Sequence, residues 1–435
     1  MQAIDAGEVI ALLKGGNARE NSLLPYGNGR SYGDTCLPQD GVLADMRPMR
    51  RVLGFDTHGG LFTAEAGILL SDIIAHAAPH GFFPPVVPGT QFVTLGGAIA
   101  NDVHGKNHHR RGTFGCHVEA FELLRSDGKT YACSPTSNPQ LFEATIGGMG
   151  LTGIILSASL RLMPVPSLDV AETVTPFSRL DEYFDRAEAA DKSNEYAVAW
   201  IDQLAGGRAA GRGLLLTGNH AANGSRQAGK AGGRLGVPFQ PPLNVLNRPF
   251  LTAFNAAYRW KRSRDAGPHT TGYGGFFFPL DGVLNWNRLY GPKGLFQHQS
   301  VIPFAAARQA VPALLDAGRA AGQGSFLTVL KRFGAVRSPG LLSFPHPGYT
   351  LTLDFPNRGD RTLQLLERLD AITVAAGGAV NPYKDARMPA HVFAASFPDW
   401  RKLEAMRDPA FLSRFWARTA MRLKPSDGAQ ARAAE

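Results

Sequence analysis

The stretch "PYGNGRSYGD", residues 25–34, decides how the fold is read. It brings Gly27, Gly29 and Gly33 together with Ser31 and Tyr32. Glycine tolerates positive φ and lets backbone N–H groups approach a bound group closely, while the two hydroxyls add donors. Such a loop can cradle a diphosphate, and it can also be a plain structural turn. The spacing G-x-G-x-x-x-G departs from the dinucleotide fingerprint, and the sequence suggests no βαβ unit of about 30 residues around it, so a Rossmann fold is not expected.

Further along, "PGTQFVTLGGAIAND" at 88–102 repeats the chemistry with Gly89, Thr94, Gly96 and Gly97 ahead of a short helix expected to begin near Ala98. A helix N-terminus attracts phosphate. Two glycine cradles, each short of a mononucleotide motif, suit one large cofactor lying between them. The next residues crowd His104, Lys106, His108, His109, Arg110 and Arg111 into one run. This is either a cationic neighbourhood for an anion or a solvated basic turn. His104 and His108 have i,i+4 spacing but no HExxH setting and no evident third ligand, so no metal is expected.

The composition agrees with an anionic partner. The chain of 435 residues carries 45 Lys and Arg against 36 Asp and Glu, with a pI near 9.6. That balance favours phosphates, nucleotides or acidic lipid surfaces without choosing among them. The start "MQAIDAGEVIALLKGG" has acids and no basic opening, and no uncharged apolar run reaches about 18 residues, so a cytoplasmic protein is expected. Cys36, Cys116 and Cys133 show no CxxC spacing, which predicts reduced thiols. The length suggests two domains.

Short apolar runs and glycine turns alternate over the first 160 or so residues, including a helical "LLSDIIAHAA", as mixed α and β. "LFEATIGGMGLTGIILSASLRLMP" reads as helix, glycine turn and strand, closed by Pro164. The region 168–210 reads as strand, helix, strand, and 218–236 as a polar, glycine-rich excursion. "YGGFFFPLD", "GLFQHQSVIPF", "GSFLTVLKRFG" and "GYTLTLDFP" are spaced as strands of a single sheet, with helices such as "AAARQAVPALLDAGRAAG" between them. The last 55 or so residues, from "NPYKDARMPAHVF" on, return to helix. Within the second region Gln297 and Gln299 alternate along a strand and point to one face. Lys331 follows an apolar strand run, as a pocket wall or a simple strand end.

"GNGRSYGD", "PGTQFVTLGGAIANDVHGKNHH" and "LFEATIGGMGLTGII", in this order, resemble the FAD domain of the vanillyl-alcohol-oxidase (PCMH) type of flavoprotein. More narrowly, "HGKNHH", "WNRLYGPKGLFQHQSVIP", "FLTVLKRFG", "LDFP" and "YKDAR" resemble the decaprenylphosphoryl-β-D-ribose 2′-oxidase family over nearly the whole chain. The resemblance implies a two-domain α+β fold. Residues 1–167 would form the FAD-binding domain, 168–378 an antiparallel-sheet substrate cap, and 379–435 a C-terminal segment returning to the FAD domain.

By the same resemblance the cofactor-binding residues are Pro25, Tyr26, Gly27, Asn28, Gly29, Arg30, Ser31, Tyr32, Gly33, Asp34 and Thr35 around the diphosphate. Gly89, Thr94, Leu95, Gly96 and Gly97 line its second side. Asn101, Asp102, Val103 and His104 approach the flavin ring, and Ile155 touches the adenosine side. Covalent members carry a tethering histidine where this chain has Arg30, which implies non-covalent FAD.

Lys384 in "NPYKDAR" is implied as the main catalytic contact, its ammonium holding the reacting hydroxyl and stabilising developing charge. The plain alternative is a surface lysine paired with Asp385. His104 and Tyr32 complete the implied catalytic set, and Gln297, Gln299, Lys331 and Lys106 the substrate contacts. His108 to Arg111 would extend a cationic rim toward solvent. Asn381 and Phe277 depart from residues of some relatives.

The implied reaction is hydride transfer from a secondary hydroxyl, the 2′-OH of a polyprenyl-phosphoryl pentose, to flavin N5, giving a keto sugar. A separate NADH-dependent short-chain reductase would be the partner in an epimerising pathway, and no nucleic acid is implied. Peripheral contact with the inner membrane surface is compatible with the basic pI. The alternatives are an aldonolactone or alditol oxidase of the same fold and, in another class, a flavin-retaining protein without turnover.

Overall fold

A computed structural model describes residues 2–15, 19–21, 23–229, 233 and 235–423. The end of the expected C-terminal segment, 424–435, and part of the glycine-rich excursion, 230–232 and 234, lie outside the described residues.

The chain opens with a small parallel sheet, in which Val42–Asp45 pairs with Gln2–Asp5 on one side and Leu23–Tyr26 on the other. The helix Ala6–Lys14 connects the two outer strands. A strand–helix–strand unit therefore does precede the first glycine loop, contrary to the expectation from sequence. What separates it from a dinucleotide fold is the continuation: the chain leaves Tyr26 into an irregular loop, with no helix before the strand Val42–Asp45.

Next comes a five-stranded antiparallel sheet in the order Val52–Phe55, Leu61–Glu65, Ile154–Arg161, Val118–Leu124, Thr130–Cys133. Its inner face buries Phe62, Phe121, Leu123, Ala158 and Leu160 against the helices Leu70–Ala77 and Leu95–Ala100. The amphipathic spacing of "LLSDIIAHA" supplies Leu70, Ile73 and Ala77 to this packing, while Ile74 turns toward Phe83 and Phe277. Helix Pro139–Thr145, the turn at 147–153 and strand Ile154–Arg161 follow the sequence reading.

From residue 170 the chain builds an eight-stranded antiparallel sheet. Its order is Gly267–Thr271, Val170–Phe177, Gly213–His220, Tyr196–Ile201, Val329–Phe333, Gly348–Pro356, Leu295–Ile302, Ala379–Val380. One face is covered by the helices Leu180–Ser193, Phe304–Ala320 and Asp360–Ala375, burying Leu351, Leu353, Phe355, Leu330 and Ile302. Because strand side chains alternate, Thr350, Thr352 and Asp354 must point the other way. The expected strand in "YGGFFFPLD" is instead a short helix, Tyr273–Phe277, followed by a 3₁₀ turn, Pro279–Gly282. Pro279 cannot donate to a sheet ladder, and Tyr273, Phe276, Phe277 and Phe278 bury together against Phe83 and Tyr196.

After Ala379–Val380, which closes the edge of this large sheet, the short helices Ala390–Ser396, Trp400–Met406 and Arg414–Arg418 pack beside the first strands. Trp416, Phe393 and Phe415 share that core with Leu24 and Leu151. The structure is thus the two-part α+β architecture of vanillyl-alcohol-oxidase-type FAD proteins. No helix among the described residues is long and apolar enough to cross a membrane.

Candidate active site

Between the glycine loops and the uncovered face of the eight-stranded sheet lies a cavity of about 580 Å³. Residues 25–32, Thr35, Gly89, Thr94, Gly96, Gly97, residues 101–104 and Ile155 all line it. The cradle works by omission. A Cβ on Gly27 would fall 2.3 Å from Thr94 Oγ1, and Gly29 has φ +58 with a Cβ position 2.1 Å from Tyr26 Oη. The two loops are tied together where Asn28 Nδ2 donates to Phe92 O at 2.7 Å. Thr94 caps the helix Leu95–Ala100 by accepting from Gly97 N at 3.2 Å. Thr35 Oγ1 is buried without a protein partner in this wall. Glycine-cleared backbone, an unpaired buried hydroxyl and a cavity of cofactor size fit FAD.

Three residues expected to contact the cofactor, Gly33, Asp34 and Leu95, do not line this cavity. Gly33 does not line the cavity: a Cβ there would sit 1.4 Å from Asp385 O, so this glycine lets the 30s loop lie against the turn that carries Lys384. Asp34 is gripped by Arg418, whose Nε and Nη2 donate to its carboxylate at 2.8 and 3.0 Å. Leu95 is buried in the core of the five-stranded sheet. Asp102 lines the cavity, yet its carboxylate accepts from Ser338 and Ser343 hydroxyls and from Gly115 N at 2.5, 2.6 and 2.8 Å. It ties the 338–343 loop to this part of the cavity wall.

Opposite the cradle, register rather than sequence proximity assembles the polar wall. Gln297 pairs with Asp354 and Gln299 with Thr352, while Lys331 pairs with Thr350 on the other side of the same central strand. Gln297, Gln299, Lys331 and Thr352 all reach the cavity.

A chain of hydrogen bonds orients the centre of this wall. The Tyr383 backbone N–H donates to Asn381 Oδ1 at 2.9 Å, so the Asn381 amide nitrogen faces the other way and donates to Gln299 Oε1 at 2.8 Å. That leaves Gln299 Nε2 to donate to Thr350 Oγ1 at 3.0 Å and toward His104 Nε2 at 3.1 Å. An amide N–H facing Nε2 requires that nitrogen to be the acceptor, so the His104 proton sits on Nδ1. Nδ1 lies 3.0 Å from Lys331 Nζ. The lysine must then accept from Nδ1–H, which only a neutral amine can do. Its own protons satisfy Gly105 O at 3.1 Å. The electrostatics agree: burial, with Lys106 and Lys384 nearby, pushes Lys331 down to about 7. Burial and Lys331 also hold His104 well below the usual imidazole range.

Lys384 sits in the turn Pro382–Lys384 with its Nζ 4.5 Å from the centre of the Tyr32 ring. Burial lowers it to about 8, opposed by the Asp354 carboxylate. It is not paired with its neighbour Asp385, which Arg418 Nη2 holds at 2.8 Å and which also accepts from Arg387 N at 2.8 Å. Arg418 therefore clamps the cradle loop, through Asp34, to the Lys384 turn, through Asp385. Tyr32 N donating to Tyr383 O at 3.0 Å completes that junction.

The basic run divides at His104. Lys106, expected at the substrate, instead donates its ammonium to Phe276 O and lies 4.5 Å over the Phe276 ring, outside the cavity lining. Of the expected rim from His108 to Arg111, the two histidines turn inward while Arg110 is exposed and Arg111 partly so. His108 is buried, accepts from Gly334 N at 3.2 Å and is pushed down to about 3 by burial. His109 and Arg110 reach the Asn194 carbonyl at 3.0 and 2.8 Å, and Arg111 forks onto Glu195 at 2.8 and 3.1 Å. The run pins the loop that follows His104 to the end of helix Leu180–Ser193.

Several cavity residues escaped the sequence reading. Asp354 is buried behind the wall, accepts from Tyr290 Oη at 2.7 Å and is pushed up to about 7 by burial. Thr352 and Asn381 line the cavity, as do Trp286 and Asn287 at its outer end. The alternation T-x-T-x-D at 350–354 was the signal for the first two, since those positions share a strand face. Asn381 stands out in the sequence only as a departure from some relatives, and nothing local marks its place in the wall.

Comparison with known proteins places the chain in a family. The family model described as "FAD binding domain" matches residues 1–134. The chain is 32% identical to decaprenylphosphoryl-β-D-ribose oxidase of Mycolicibacterium smegmatis over 92% of this chain and 89% of that one. An uncharacterized protein of Streptomyces coelicolor is 36% identical over 76% of this chain and 94% of its own. Mouse L-gulonolactone oxidase is 32% identical over 45% of this chain and 43% of its own. The protein is an FAD-dependent oxidoreductase.

Proposed function

The chain belongs to the decaprenylphosphoryl-β-D-ribose oxidase family of FAD-binding oxidoreductases, and from that premise we propose that it oxidises the 2′-OH of a polyprenyl-phosphoryl pentose, such as decaprenylphosphoryl-β-D-ribose, to the keto sugar. Bound FAD supplies the hydride acceptor. The observation that carries the reading is Lys331 Nζ held between His104 Nδ1 and Gly105 O on the wall facing the cradle, where burial lowers its pKa to about 7. As hydride leaves the carbinol carbon, the hydroxyl proton must go to a base, and Lys331 takes it by turning its single lone pair from His104 Nδ1–H to the hydroxyl. Lys384, retaining its proton more firmly, holds the hydroxyl oxygen and balances the charge that develops on it. Gln297 and Gln299 hold the remaining sugar hydroxyls. Tyr32 walls the pocket beside Lys384.

In this proposal residues 1–167 bind FAD, 168–378 cap the substrate and 379–435 return, with the catalytic turn at 382–384 lying at the junction. FAD is held without a covalent link, because Arg30 stands where a tethering histidine would. A keto sugar calls for a separate NADH-dependent reductase to return hydrogen from the other face. The likeness to L-gulonolactone oxidase covers less than half of either chain, which favours a different substrate for the cap.

Anaerobic mixing tests the assignment. Polyprenyl-phosphoryl ribose is expected to bleach the flavin stoichiometrically, while free aldonolactones and alditols leave it oxidised. Bleaching by the free sugars alone would assign the chain to the aldonolactone or alditol type. No bleaching by any of them would leave a flavin-retaining protein without this activity.

A further inference from the structure

The net positive charge of this protein comes from one stretch. Residues 203–264 contain ten Lys and Arg and no Asp or Glu, leaving 35 basic against 36 acidic residues elsewhere. Arg212 and Arg262 are neutralised by Asp202 and Glu172 from outside the stretch. Arg248, Lys261 and Arg264 face solvent.

The same stretch exposes apolar side chains that a solvated surface would bury. Leu235, Phe239 and Leu243 are 72%, 68% and 76% exposed, and Leu284 joins them where Leu235–Gly236 pairs with Val283–Leu284. The helix Arg248–Arg264 turns Leu251 and Asn255 inward. Its outward face carries Phe250, Ala253, Ala257 and Trp260, all exposed and within one helical stripe, flanked by Lys261 and Arg264. An exposed apolar stripe bordered by lysine and arginine is the pattern of a helix that lies in a lipid interface.

The last turn of this helix also frames a small cavity of about 280 Å³ lined by Arg212, Arg259, Trp260, Ser263 and Arg264. Arg259 Nε and Ser263 Oγ are buried there without a partner, donors that a phosphate oxygen would satisfy.

This surface adjoins the mouth of the active cavity. Gln240 Nε2 donates to Gly291 O at 2.8 Å and Arg288 Nη1 to Val237 O and Pro238 O at 2.9 Å, so 235–246 runs along 283–291. Trp286 and Asn287 of that second segment line the cavity.

We propose that the face formed by 235–246, Leu284 and the helix Arg248–Arg264 docks on an anionic phospholipid bilayer, with a headgroup phosphate against Arg259, Ser263 and Arg264. The cavity mouth then opens at the lipid surface. The surface stands on its charge and apolar exposure; its purpose, delivery of a polyprenyl-linked sugar to the mouth, rests on the function proposed above.

The test uses the FAD-loaded full chain and flotation with vesicles of phosphatidylcholine alone or with about one-third phosphatidylglycerol, an anionic content that attracts basic segments. Binding is expected to the anionic vesicles only, and to weaken as salt rises. Lys261→Glu with Arg264→Glu, and separately Phe250→Ser with Trp260→Ser, are each expected to lower that binding at least about tenfold, since each basic residue near such a surface counts for about fivefold. Both double variants should keep wild-type flavin content and wild-type flavin reduction by a short-chain, water-soluble prenyl-phosphoryl ribose. Equal binding to both vesicle types, wild-type binding by the variants, or a concentration-dependent dimer that buries Trp260 in place of vesicle binding would overturn the docking surface. If vesicles are bound but the short-chain substrate leaves the flavin oxidised, the docking surface survives and the proposed substrate does not.

Discussion

The two walls of the cavity are built on opposite principles. The cradle at 25–35 and 89–97 acts through what its residues lack: glycines without Cβ atoms clear space and free backbone donors. The sheet wall opposite acts through what its residues carry, amides and amines from strands far apart in the chain, joined by the register of Leu295–Ile302, Val329–Phe333 and Gly348–Pro356. A subtractive wall is damaged by adding an atom. An additive wall is damaged by removing one, and the damage falls on the rate while the cofactor stays.

The largest effect expected from this difference is at Gly29. With φ +58 and Tyr26 Oη 2.1 Å from the Cβ position, Gly29→Val should abolish flavin binding outright. The check is the flavin-to-protein absorbance ratio of the folded variant, and near-stoichiometric flavin would place the cradle elsewhere. At the sheet wall, Lys384→Ala should keep the flavin and slow anaerobic flavin reduction by about 10²-fold, the scale of losing one preorganised donor. Lys384→Met, equally long and uncharged, should be as slow. A stopped-flow rate within threefold or so of wild type would remove Lys384 from the chemistry. The smallest effect is expected at Lys106, which caps Phe276 outside the cavity. Lys106→Met should change the reduction rate less than about threefold, far below the loss of a catalytic donor, and show itself in thermal stability instead.

The same contrast explains what the sequence could disclose. A glycine's conformational demand is local, so the cradle was readable at Gly27, Gly29, Gly96 and Gly97. It misled at Gly33, because the group needing room there is the carbonyl of Asp385, which only folding brings near. Period-two alternation put Gln297 and Gln299 on one face without reference to any other strand. The protonation state of Lys331 was not readable, since it depends on Tyr383, Asn381, Gln299 and His104 standing in line, and that line exists only once the strands are ordered. The anchoring of His109 to Arg111 was hidden for the same reason: their acceptors, the Asn194 carbonyl and the Glu195 carboxylate, lie on another element more than 80 residues away.

The neutral Lys331 is the claim on which the sheet wall rests, and the pH dependence of the anaerobic flavin-reduction rate, at saturating polyprenyl-phosphoryl ribose, tests it most directly. A base at Lys331 must be deprotonated, so the rate should rise as pH rises through about 7. Lys384 must keep its charge, so the rate should fall again above about 8, giving a narrow bell. Lys331→Met should lose the ascending limb and run about 10²-fold or more below wild type at its best pH, the usual worth of a general base. An ascending limb near 7 that survives in folded, flavin-loaded Lys331→Met would contradict the assignment.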